Sequence, residues 1–107
     1  MPAIFSTRSV IWLVTAPANS PENTFILPDG TKAHIALGPT FDNQLLRYLF
    51  NATRQAAVVL GVDAPLQQEL AEKAARLPPT RVASDGRVME WLQEYREDDP
   101  HHRHISH

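Results

Sequence analysis

A chain of 107 residues with 43% apolar and 21% charged side chains is globular in composition and long enough for one small domain. Its formal net charge of -2, with basic residues scattered singly, offers no electrostatic footprint for a phosphate backbone, so nucleic acid is not an expected partner. The lack of cysteine excludes disulfides, thiolate nucleophiles and Cys-ligated zinc, and an apolar run such as Val10 to Val14 falls far short of the roughly 18 to 20 residues that cross a bilayer.

The N-terminus also lacks the pattern of a secretory signal, because Arg8 is followed by too short an apolar stretch. Neither a membrane partner nor a location is therefore indicated, and export of a parent chain would need a signal upstream of Met1. Residues Ile4 to Thr15 mix β-branched and aromatic side chains in a run that reads as a strand or as the end of a helix, since periodicity does not decide between them. From Ala16 to Thr24 the chain is dense in turn residues, and Pro17 and Pro21 exclude a central strand, so this is a loop.

Phe25 to Leu27 and Ala33 to Leu37 are short extended segments around Pro28-Asp29-Gly30, where Pro suits the second turn position and Gly supplies positive φ. Gly38-Pro39 breaks this hairpin, and Thr40 or Asp42 is available to cap the helix that follows. Leu45, Leu46, Leu49, Ala52, Ala56, Ala57 and Leu60 recur at helical spacing, predicting a helix over Asp42 to Leu60 of about 28 Å, closed by Gly61. Tyr48, Phe50 and Val59 widen its apolar surface beyond one stripe, so more than one neighbour is needed to cover it. Asp63 then caps a second helix with Pro65 in its first turn, Leu66, Leu70, Ala74 and Leu77 on its buried face, and Pro78-Pro79 as its stop. So short a connection makes the two helices antiparallel, with apolar faces left open for further helices. Asp85-Gly86 marks another turn, Met89 to Tyr95 is rich in Trp, Leu and Glu, and Arg96 to His107 is charged and histidine-dense.

Chemistry could sit at two places. In Asn19-Ser20-Pro21-Glu22-Asn23 a carboxyl stands on a proline-stiffened loop between amides; glycoside hydrolysis needs such a group as proton donor to the leaving oxygen. By composition alone Glu22 reads as a solvated loop residue. The second place is His101-His102-Arg103-His104-Ile105-Ser106-His107. Here His102, His104 and His107 suggest a transition-metal site without a firm motif, Arg103 with neutral imidazoles suits hydroxyl or anion recognition, and a frayed polar terminus is the plain alternative. Asn51-Ala52-Thr53 fits a glycosylation pattern but lies inside the predicted helix, while Trp12 and Trp91 read as core before they read as sugar platforms.

Three segments together resemble the catalytic domain of family 95 glycoside hydrolases, the inverting α-L-fucosidases. They are Val14-Thr15-Ala16-Pro17-Ala18-Asn19-Ser20-Pro21-Glu22-Asn23-Thr24-Phe25, Gly38-Pro39-Thr40-Phe41-Asp42-Asn43-Gln44, and Glu90-Trp91-Leu92 through His102-Arg103-His104-Ile105-Ser106-His107. The likeness implies a mainly α fold, a partial (α/α)6 barrel of helix pairs with a small β-hairpin before the long helix. It also implies that Glu22 is the general acid, that Arg103 and His104 contact fucose, and that the substrate is a fucosylated oligosaccharide or glycan with terminal α-1,2-linked L-fucose. No cofactor and no metal are implied. On this resemblance residues 1–10 form an atypical N-terminal segment, as of a truncated or disrupted reading frame, and residues 11–107 a catalytic-domain fragment. The aspartate element that follows the H-R-H segment in the family and the upstream asparagine element lie outside the chain, so the isolated piece is expected to be inactive. The alternative is a non-catalytic interaction module whose His-rich tail binds metal or a partner, or a gene remnant without function.

Overall fold

The computed structural model describes residues 2–7, 10–21 and 23–101, with the backbone alone for residues 2–7 and 10. Strands β1 (Pro2–Thr7) and β2 (Val10–Thr15) pair antiparallel from Pro2↔Thr15 to Thr7↔Val10, which resolves the ambiguous N-terminal run as extended. The β-branched residues Val10, Ile11, Val14 and Thr15 favour that pleated geometry. Leu13 and Val14 of β2 are buried.

The expected hairpin forms between β3 (Phe25–Ile26) and β4 (Lys32–Ala33). Gly30 N–H donates to Leu27 O at 2.8 Å, Leu27 N–H donates to Thr31 O at 2.8 Å, and Gly30 takes φ +89°, the left-handed position that follows a tight turn in a three-residue loop. The second strand is shorter than Ala33 to Leu37, because Ala36 exchanges its hydrogen bonds with Ala18 in the preceding loop, at 2.7 and 2.9 Å. A third strand, β5 (Arg96–Glu97), pairs with the other edge of β3, giving the order β4-β3-β5.

Helix α1 (Thr40–Leu60) and helix α2 (Ala64–Arg76) pack together as the antiparallel pair foreseen from the spacing. The C-terminus of α1 closes as expected: Gly61 adopts φ +68°, its N–H donates to Val58 O, and Val62 N–H donates to Ala57 O, both at 3.1 Å. Asp63 caps α2 by accepting from Leu66 N–H at 3.4 Å. At the far end of α2, Arg47 of α1 donates to the carbonyls of Leu77, the C-cap, and Pro78, just beyond it, at 3.1 and 2.8 Å, so that the first of these satisfies an acceptor that a helix C-terminus leaves open. The start of α1 departs from expectation, for neither Thr40 nor Asp42 caps it. Thr40 lies within the helix and its hydroxyl donates to Met89 O at 2.5 Å, while Asp42 accepts from the Thr15 hydroxyl at 2.6 Å.

The core sits where these pieces meet. Trp91, 2% exposed, presents an edge-on ring to Phe25 at 5.1 Å between centroids, and Phe25 stacks on Tyr95 at 4.1 Å. The outer face of α1 is not covered: Leu45, Tyr48, Leu49, Val59 and Leu60 are exposed, Val59 at 85%. The described fold is thus two helices with small antiparallel sheets. No helix among the described residues is long and apolar enough to cross a membrane.

Candidate active-site loop

The loop between β2 and β3 is held at both ends by backbone pairing. Ala18 and Ala36 exchange N–H···O bonds, and Thr24 O accepts from Asp98 N–H at 3.0 Å. Between these anchors Asn23 N–H returns to Ser20 O at 2.9 Å, and Thr24 N–H is received by Asn23 Oδ1 at 2.9 Å. Ser20 and Asn23 are buried, 0% and 2% exposed, although both are polar and lie in a loop.

Their burial has a definite cause. Glu90 brings a carboxyl group into the interior, 2% exposed, and its Oε1 accepts from Ser20 Oγ at 2.6 Å and from Asn23 Nδ2 at 3.2 Å. Buried polar groups of this kind are tolerated only when they satisfy one another. Glu90 is itself fixed by its neighbours, because Trp91 fills the aromatic core and the Glu90 carbonyl accepts from Thr40 N–H at 3.0 Å. The loop, the start of α1 and the segment around Glu90 therefore form one connected polar centre.

A sequence profile of the Glycosyl hydrolase family 95 catalytic domain matches residues 3–107. The chain belongs to glycoside hydrolase family 95. Alpha-L-fucosidase 2 of Arabidopsis thaliana is similar to it, 34% identical over 97 residues that make up 90% of this chain. The chain spans 12% of the length of that relative. The family 95 match begins at residue 3 and so takes in most of the segment 1–10 that the sequence sets apart.

The family 95 site residues expected from the sequence, Glu22, Arg103 and His104, lie outside the described residues, as do His102 and His107. The frame around Glu22 is described on both sides, through Ser20, Pro21 and Asn23. Trp91 belongs to the core, and Trp12 is half-buried in β2. Among the described residues no three His, Asp or Glu side chains converge as a metal site would require. Glu90 was not singled out by sequence as a site residue. The signal for it is nevertheless present: it is the lone ionisable residue within Val88-Met89-Glu90-Trp91-Leu92, and a carboxyl in an otherwise apolar run must find donors when the run is buried.

Proposed function

We propose that this chain carries the general-acid part of a glycosidase that removes terminal α-1,2-linked L-fucose from glycans with inversion of configuration. Glu22 donates the proton to the departing glycosidic oxygen, and Arg103 and His104 contact the fucose, the guanidinium through its planar fork of donors and the imidazole through its two ring nitrogens. In an inverting reaction a base on the opposite face of the sugar activates water, with the two carboxyl groups about 6.5 to 9.5 Å apart. That base and its asparagine helpers come from sequence beyond this chain, and α1 with α2 supplies one pair of a six-pair helical barrel.

The observation that carries this reading is the burial of Ser20 and Asn23 on Glu90, which makes the S-P-E-N loop a built structure instead of a solvated connection. A proton donor must stand within hydrogen-bond reach of the leaving oxygen, and the fixed neighbours on either side of Glu22 support that role for it. The uncovered face of α1 supports the barrel in the same way, since helix pairs in such an assembly pack on further helices.

The test replaces the matching segment of the Arabidopsis relative with this chain and follows release of fucose from a 2'-fucosylated oligosaccharide. The isolated chain is expected to show no turnover; the chimera is expected to be active, and Glu22→Gln in it to lower kcat by about 10² to 10⁴ with KM changed less than about threefold. Full turnover by the Glu22→Gln chimera would remove Glu22 from the role. Strong cleavage by the isolated chain would show that the site needs nothing further.

A further inference from the structure

We infer that Glu90 is a positioning residue for the loop that carries Glu22, clamping the flanking residues Ser20 and Asn23 on one oxygen. The inference rests on the role proposed above for Glu22.

Four observations converge on it. Ser20 Oγ and Asn23 Nδ2 approach the same atom, Glu90 Oε1, at 2.6 and 3.2 Å, and the two donors lie immediately on either side of Pro21-Glu22 in sequence. The Asn23 amide is oriented from its other end as well, since Oδ1 receives Thr24 N–H at 2.9 Å, so its Nδ2 has little freedom to turn away. All three side chains are sealed from solvent, Glu90 and Asn23 at 2% and Ser20 at 0%, and water does not compete for their hydrogen bonds. Lastly, the residue that provides Oε1 is braced independently of the loop: Thr40 N–H donates to Glu90 O at 3.0 Å and the Thr40 hydroxyl to Met89 O at 2.5 Å, tying this segment to the first turn of α1. A displacement of about 1 Å at a reacting group costs on the order of 10²-fold in rate, which is the scale on which such a clamp matters.

Two measurements test the clamp. In the 107-residue chain itself, Ser20→Ala and Glu90→Leu each cut the Ser20 to Glu90 bond, and amide exchange at Asn23 N–H is expected to accelerate by about tenfold while Ala57 in α1 stays protected. Glu90→Gln keeps an oxygen at the same place and is expected to hold exchange within about threefold of the parent. Unchanged protection at Asn23 in Ser20→Ala and Glu90→Leu overturns the inference.

In the chimera, general-acid positioning is separated from folding by the leaving group. Glu90→Leu is expected to lower kcat on the oligosaccharide by about 10² and Ser20→Ala by about tenfold, with Glu90→Gln restoring most of the rate. On fucosyl fluoride, whose leaving group departs without a proton, every one of these variants is expected to stay within about threefold of the parent. Equal losses on both substrates, or no loss on the oligosaccharide, overturn the positioning role, and where the chimera is inert the exchange result alone decides. The Glu22→Gln chimera distinguishes the two failures: if it keeps full activity the proposed function falls, whereas if it is inactive and the Glu90 variants are normal, only the clamp falls.

Discussion

At Gly38 two constraints fall on one residue. Its φ of +51° is a left-handed value, and a Cβ built there would stand 2.9 Å from Val14 Cγ1, inside any ordinary contact distance. Its own backbone is committed on both sides: the N–H donates to Thr15 O at 2.9 Å, and the carbonyl accepts Asn43 Nδ2 at 2.9 Å. Val14 is buried and cannot retreat without disturbing the β2 edge that leads into the S-P-E-N loop. Gly38→Ala is therefore expected to destabilise the chain by about 1 to 3 kcal/mol, read as a lowered urea midpoint with an unchanged slope. The sequence marked Gly38-Pro39 as a break and as part of a family segment without showing why glycine stands there, because Val14, the valine that makes it obligatory, is far from it along the chain. The partners of Glu90 were hidden for the same reason, lying 70 and 67 positions away from it.

Whole elements were easier to read from the sequence, and the difference is one of range. The spacing of leucines and alanines in α1, the left-handed Gly61, the Asp63 cap and the Pro78-Pro79 stop all act within a turn or two of chain, so each leaves its mark locally. The Thr40 cap failed because the helix starts one residue earlier than that reading needs, with Pro39 at the cap position, and the Thr40 hydroxyl inside the first turn donates to a distant carbonyl, Met89 O. The Asp85-Gly86 turn is another local device: Gly86 N–H donates to Ala83 O at 3.0 Å and Ala83 N–H to Arg87 O at 2.7 Å. The Arg87 backbone N–H, then its guanidinium, hold the Asp85 carboxyl below its ordinary value. A depressed carboxyl stabilises its turn fully above the unfolded Asp value of about 3.9 and loses that contribution as pH falls through the lower folded value. An NMR titration of Asp85 should accordingly place its midpoint below that of an unstructured Asp, and Arg87→Ala should move it only part of the way back, since the backbone donor remains.

Over the whole molecule the helices outrun what the chain can cover. The radius of gyration, 15.6 Å, exceeds the roughly 13 Å of a compact domain of about 100 residues, and the longest dimension is 52 Å. Leu45, Tyr48, Leu49, Val59 and Leu60 stand exposed along α1, a contiguous apolar surface of the kind that single domains avoid. The purified chain is expected to self-associate as its concentration rises, and Leu49→Lys with Val59→Lys to shift it toward monomer in sedimentation velocity. Unaltered sedimentation in the double variant would show that this face is not what draws copies together. The separation between Ser20 and Glu90 bears also on the order in which the protein is made. A ribosome adds about 5 to 20 residues per second, so the loop emerges several seconds ahead of the oxygen that shapes it. A nascent chain that has grown only as far as α2 already contains every letter of the S-P-E-N segment, yet must wait for the late arrival of one glutamate before that segment has a shape to keep.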